Sequence, residues 1–106
     1  MLVLAVSGRL GHASAPAFLA AVAAAVATPN RPLVIDFADV DYLSSAGISA
    51  MKDGMALARA AGVNLVAAAV TEPVRMTMEL GGLLPDLALE PTRALAVERA
   101  ERSDAR

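Results

Sequence analysis

Cysteine is absent from this 106-residue chain, and histidine occurs once, as His12. Without thiols there can be no disulfide, thiolate metal site or cysteine nucleophile, and a zinc site would have to come from carboxylates that show no ligand spacing. Tryptophan is missing and aromatic residues make up only 3% of the chain, so the interior must be built from Val, Leu, Ile and Met beside many small residues. The 9 basic and 11 acidic residues leave a net charge of -2. No Lys/Arg stripe is available to release counterions from a nucleic acid, which argues against DNA or RNA binding. Long apolar runs are lacking too. The alanine-rich stretch 13–27 is shorter than a bilayer span and is interrupted by Pro16. The opening run has no basic residues ahead of it and is too short for a secretory core. These features lead us to expect a cytoplasmic protein that does not insert into membranes. At this length one domain over residues 1–106 is expected, with a charged tail that frays from about residue 100.

What is present is a regular alternation of strand and helix signals. Leu2 to Ser7 reads as a strand turning at Ser7-Gly8. Ser14 offers a cap for a helix with Pro16 in its first turn, and Phe18, Leu19, Val22 and Val26 recur at helical spacing until Thr28-Pro29-Asn30. Pro32 to Phe37 is a short apolar run suited to a strand buried on both faces. The next six residues, Ala38 to Leu43, read as a connector. A helix then starts at Ser44-Ser45 and runs to about Ala61, with Gly62 ending it. On that helix Gly47, Ala50, Met51, Gly54, Met55 and Ala58 share one arc, and Ser49, Lys52, Asp53 and Arg59 share the opposite one.

Val63 to Val70 reads as a further buried strand, and Thr71 as the cap of a third helix that turns Val74 and Met78 inward until Gly81-Gly82. A short strand near Asp86 to Leu89 and a last helix after Pro91 complete the series. The expected fold class is therefore α/β: a single, largely parallel four-stranded sheet with about four helices, built from successive βα units. Asp36 and Asp39 have no nucleophile or histidine nearby in sequence to complete an acid–base site, so turn and strand-end roles are expected for them. Met51, Met55, Met76 and Met78 suit gap-filling in an alanine-rich interior, although any left on the surface would form an adaptable patch.

One segment is more specific than this generic pattern. Val34-Ile35-Asp36-Phe37-Ala38-Asp39-Val40-Asp41-Tyr42-Leu43-Ser44-Ser45-Ala46-Gly47-Ile48-Ser49 resembles the signature of STAS domains of the anti-sigma factor antagonist family. That signature is a strand ending in Asp-hydrophobic, a turn with an Asp-Val-like pair, an aromatic and an apolar residue, then Asp-Ser-Ser/Thr-Gly-Leu at a helix start. Ser7-Gly8-Arg9-Leu10, Ala69-Val70-Thr71 and Gly82-Leu83-Leu84 resemble further family steps, so the likeness extends over most of the chain.

The resemblance implies the STAS fold and a protein switch. Such a domain binds an anti-sigma factor that is often also a serine kinase of the histidine-kinase-like ATPase type, and phosphorylation of the motif serine ends the binding. By position the phosphoacceptor is Ser45. Ser44, Ala46, Gly47, Ser49, Lys52, Asp53, Arg59, Gly11 and His12 are then the expected partner-contact residues. Ser44 stands where the family has Asp, Ala46 where it has Ser or Thr, and Gly11 where it usually has Asp. No cofactor is expected on the domain, since ATP and magnesium belong to the kinase. An additional amino-terminal strand seen in many relatives is expected to be missing, leaving an exposed sheet edge open to homodimer formation. The alternative implied by the same resemblance is an unphosphorylated STAS scaffold docking an ATPase, such as the small STAS subunit of a bacterial lipid-transport complex. A nucleotide-binding or catalytic domain is a third and weaker reading.

Overall fold

A computed structural model describes residues 2–28 and 31–104 of the chain. Strand β1 (Leu2–Leu10), helix α1 (Ala15–Val26), β2 (Leu33–Leu43), α2 (Ser45–Ala60), β3 (Leu65–Ala68), α3 (Glu72–Leu80), β4 (Ala88–Glu90) and α4 (Arg93–Asp104) follow one another along the chain. All neighbouring strands are parallel and lie in the order β1-β2-β3-β4. The expected four-stranded, four-helix α/β architecture is therefore the one observed, and every strand pairing in it is parallel.

The central strand explains the layering. Leu33, Val34, Ile35 and Phe37 of β2 are fully buried, as a strand covered on both faces requires. Leu33, Ile35 and Phe37 face the larger core, shared with Phe18 and Val22 of α1, Ile48 and Met51 of α2, and Val74 and Met78 of α3. Val34 points the other way, into a smaller cluster with Val66, Ala68 and Ala96 and Ala100 of α4. One face of the sheet thus carries α1, α2 and α3, and the opposite face carries α4. Gly54 of α2 faces α1, where a Cβ would meet Phe18 at an ordinary van der Waals distance of 3.5 Å.

The sequence reading misplaces two boundaries, both for the same reason. β1 does not turn at Ser7-Gly8 but continues to Leu10, and residues 38–43 are no connector but the outer half of an eleven-residue β2. The pairing of the two strands slips between Ala5 and Ser7 and again between Gly8 and Arg9, each time inserting an extra residue in β2. Such bulges break the period of two by which a strand is recognised in sequence. Gly8 accommodates the irregularity with a positive φ of 75°. Asp36 supports it from the other strand: its Oδ1 accepts the Ala38 backbone N–H at 2.9 Å, and its Oδ2 accepts from Arg93 Nε at 2.8 Å. Asp36 therefore lies inside β2, at its bulge, and not at the strand end expected from the sequence.

Smaller differences follow from local geometry. β3 stops at Ala68 because Ala69 takes a left-handed φ of 57°. Ser14 occupies the cap position of α1, but its hydroxyl donates to the Arg9 carbonyl at 2.8 Å and accepts the Gly11 N–H at 3.0 Å, tying the β1–α1 turn rather than the helix. Thr71 at the start of α3 makes no side-chain cap bond. Helix α4 extends to Asp104, with Ala100 fully buried in its layer. Residues 105 and 106 lie outside the described residues, as do Pro29 and Asn30 of the expected helix stop.

Candidate functional site

The outer halves of β1 and β2 carry the chain beyond the body of the sheet, and α2 begins where they end. Ser44 ends this extension in extended conformation, and its N–H donates to the Leu10 carbonyl at 3.1 Å. Its hydroxyl accepts the Gly47 N–H at 3.2 Å, capping α2. Ser45 is the first residue of the helix and is exposed. The two adjacent serines are thereby separated in role: Ser44 closes the helix end, and the Ser45 hydroxyl is left out of the capping contact.

Gly47 fixes how closely this helix end sits on the sheet. It is buried, and a Cβ there would collide with the Leu10 carbonyl oxygen and approach Leu43 Cδ1 to 2.8 Å. Expected as a partner contact, Gly47 instead meets the protein's own backbone and offers no surface to a partner. Gly11 plays a related part. A side chain there would bring its Cβ to 2.9 Å from Ser44 Oγ, so the two departures from the family pattern, Gly11 and Ser44, are sterically linked. An Asp at position 11 would push against the oxygen that caps α2.

The remaining expected contacts lie on the outside. Ser49, Lys52, Asp53 and Arg59 are exposed, and Ala46 is half-buried. Ser45, Ser49, Lys52 and Arg59 follow one another at helical spacing, forming a stripe along α2. Lys52 and Arg59 border a shallow hollow of about 200 Å³ with Gly82, Leu83 and Asp86. His12 is exposed and Gly11 half-buried at the other side of Ser44, where they border a hollow of about 360 Å³ with Arg9, Ser14 and Tyr42.

Sequence reasoning missed the apolar members of this surface. Tyr42 is 48% exposed, with the Arg9 guanidinium 4.8 Å from its ring centroid, a cation–π distance. Together with Ser44, Tyr42 borders both the His12 hollow and a second one of about 410 Å³ lined by Ser45, Ile48, Thr77 and Leu80. Leu80, at the end of α3, is 86% exposed. Met51 and Met78 fill the core as expected, Met55 is half-buried, and Met76 is exposed. The signal for Leu80 and Met76 lay in the helical wheel of α3: with Val74 and Met78 inward, positions 76 and 80 point outward.

No general acid–base or metal arrangement joins these residues. Asp36 is buried and committed: its carboxyl is held below the usual aspartate range chiefly by the Ala38 backbone N–H, with Arg93 adding to this against the opposing effect of burial. Asp39 is exposed. Among the described residues no three His, Cys, Asp or Glu side chains are grouped to hold a metal ion. Among the same residues no helix is long and apolar enough to cross a membrane. What the arrangement presents outward is a hydroxyl at a helix start, in a hollow shared with the exposed Tyr42 and Leu80 side chains.

The family model described as "Mlab, STAS domain" matches residues 1–87. This chain belongs to the STAS family. Among solved structures, an anti-sigma factor antagonist from Mycobacterium paratuberculosis is 32% identical to it, with 94% of this chain and 86% of that one covered and a TM-score of 0.76. The unphosphorylated form of the anti-sigma factor antagonist SpoIIAA is 19% identical over 94% of this chain and 87% of that one, also at a TM-score of 0.76. A sulfate transporter family protein from Wolinella succinogenes is 13% identical over 95% and 85% of the two chains, at a TM-score of 0.84. The latter two share the STAS fold and carry no more than that. No curated protein sequence matches the chain significantly.

Proposed function

We propose that this STAS domain is an anti-sigma factor antagonist: it docks a cytoplasmic anti-sigma factor of the histidine-kinase-like ATPase type and is released when that partner phosphorylates Ser45. The observation that carries the reading is the division of labour between the two serines. Because Ser44 caps α2, Ser45 can be modified without removing the bond that holds the helix start. The helix dipole favours an anion at that end, so the fold tolerates a phosphate there. A partner seated over Tyr42, Ser45 and Leu80 does not tolerate it. A phosphate adds a charge of about -1.5 to -2 beside an apolar contact, and burying it costs desolvation. Ser49, Lys52, Asp53 and Arg59 supply the polar rim of the docked surface. In this reading the domain contributes a hydroxyl and a docking surface, and the kinase contributes ATP, magnesium and catalysis. The 32% identity to an anti-sigma factor antagonist over nearly the whole chain supports it.

A second reading is a constitutive scaffold that docks an ATPase without phosphorylation. The matching family model bears the Mlab description rather than an anti-sigma one, which favours it. One experiment separates the two. Wild-type, Ser45→Ala and Ser45→Asp proteins are used as baits in native lysate, and the retained proteins are identified. The switch predicts a histidine-kinase-like ATPase held by wild type and Ser45→Ala and lost by a folded Ser45→Asp, with phosphate appearing on the Ser45 peptide when kinase and ATP are added. A transporter ATPase held equally by all three would replace it with the scaffold reading.

A further inference from the structure

The sheet has an uncovered edge at β1, the outermost strand of the described sheet. Leu2 N–H donates to the Pro32 carbonyl at 3.2 Å, so the even-numbered residues of this strand turn their backbone groups toward β2. Val3, Ala5 and Ser7 consequently turn theirs outward, where the sheet offers no partner. Beside this edge a hollow of about 230 Å³ opens between β1 and α1, lined by Leu4, Val6, Arg9, Leu10, Ala17 and Phe18 among others. Natural edge strands are ordinarily guarded by lysine, proline or an inward-pointing charge. Residues 2–7 of this one carry none of these.

Charge is what identifies the occupant. Of all the charged side chains in the protein only Arg9 precedes Arg31, so β1 and α1, the two elements bordering the groove, hold a single charge between them at the far end of the strand. A single arginine is a weak handle for an anionic lipid headgroup or a charged partner. The surface does suit a copy of itself. Across a two-fold axis each side chain near the axis meets its own duplicate, and a charge there would repel itself. We propose that β1 pairs antiparallel with β1 of a second copy of this chain, about a two-fold axis at Ala5. Val3 of one copy then lies opposite Ser7 of the other, the two Arg9 side chains stand at opposite ends, and the two four-stranded sheets join into one continuous eight-stranded sheet. None of Ser45, Ser49, Lys52 and Arg59 borders the groove, so the pairing is independent of the switch proposed above.

The test is sedimentation velocity of the full chain over a concentration series, with substitutions chosen to leave the fold intact. Wild type is expected to pass from monomer to dimer. Ala5 is exposed, and both Ala5→Lys and Ala5→Glu place like charges together at the axis, so each alone is expected to be monomeric. Mixed in equal amounts they are expected to recover the dimer, an outcome that misfolded variants could not produce. Ala17→Glu adds a charge to the groove at the third position of α1, three residues after Ser14, where an acidic side chain favours the helix. It is expected to weaken dimerisation at least tenfold without lowering the melting temperature. A wild-type monomer at every concentration would overturn the pairing, as would a dimer indifferent to all three substitutions or failure of the mixture to associate. Flotation of the wild type with vesicles of phosphatidylcholine and phosphatidylglycerol would assign the groove to lipid instead and overturn it equally.

Discussion

The α4 layer and the β2–α2 junction spend their side chains in opposite ways. Across the layer, polar groups are turned back onto the protein: Asp36 binds Arg93 at 2.8 Å, Glu90 binds Arg99 at 2.8 Å, and Asn64 Nδ2 donates to the Ala100 carbonyl at 3.3 Å. Ala96 and Ala100 are fully buried there against Val34 and Val66. At the junction only the backbone-supporting groups are committed internally, namely Ser44, Gly47 and the Leu10 carbonyl. Around them Leu43 and Ile48 turn into the core, whereas Tyr42, Ser45 and Leu80 are left facing outward. Large apolar side chains left in water forgo the free energy of burial, and a partner seated in the shared hollow around the Ser45 hydroxyl would recover it. The contrast teaches that exposure is informative when the supporting atoms beneath it are fully engaged.

The strongest way to break this contrast is to attack the engaged atoms at the junction. Gly47→Ala must separate α2 from the Leu10 carbonyl, a backbone atom that cannot rotate aside, and is expected to cost ~3 kcal/mol or more in urea unfolding. Next in size is the layer's own anchor. Asp36→Ala leaves the Ala38 N–H without its acceptor and is expected to cost about 1–3 kcal/mol. Because the folded carboxyl titrates below its unfolded value, its contribution is fully present above the unfolded value and disappears as pH falls through the folded one. The stability gap between wild type and Asp36→Ala, measured by urea melts, should therefore hold at pH 6 and narrow below about pH 4, the ordinary aspartate value. A gap that widened with acid would contradict the assignment of that carboxylate.

Sharper still is the comparison of neighbours. Ser44→Ala removes the cap and is expected to cost ~1 kcal/mol, whereas Ser45→Ala should change stability by less than about 0.5 kcal/mol, as at other uncommitted surface positions. Thermal melts of the two single variants decide it, and equal losses would mean that Ser45 shares the structural role.

Much of this contrast could be read from residue order, and the part that could not has physical causes. The start of α2 was legible because Ser-Ser before a small-residue stripe signals a capped helix packed on a sheet, and Ser45 followed from its place in the motif. Which serine caps was not legible, since either hydroxyl suits the first turn; the answer depends on Ser44 being held extended by Leu10. The outer half of β2 reads as a connector because its two extra residues scramble the alternation of Ala38 to Leu43. The inward orientation of Gly47 is hidden as well, because a motif position does not reveal which way a residue faces. Tyr42 was part of the motif, yet its exposure and its contact with Arg9 depend on a strand extension that the sequence pattern concealed.

Leu80 offers the smallest effect on the fold and the cleanest division between the two kinds of side chain. It is 86% exposed, so Leu80→Ser removes little buried area and should move the unfolding free energy by less than about 0.5 kcal/mol. In the docked state the same side chain would be covered, because it borders the hollow that contains Ser45, and truncating a buried anchor costs about 1 kcal/mol or more, at least a fivefold loss of affinity. Calorimetric titration of the captured ATPase with Leu80→Ser should therefore show weaker binding from a protein that melts like wild type. A variant that binds unchanged would place the docked surface on the α2 stripe alone, whereas one that loses stability would move Leu80 into the class of engaged residues, erasing the distinction drawn between the junction and the α4 layer.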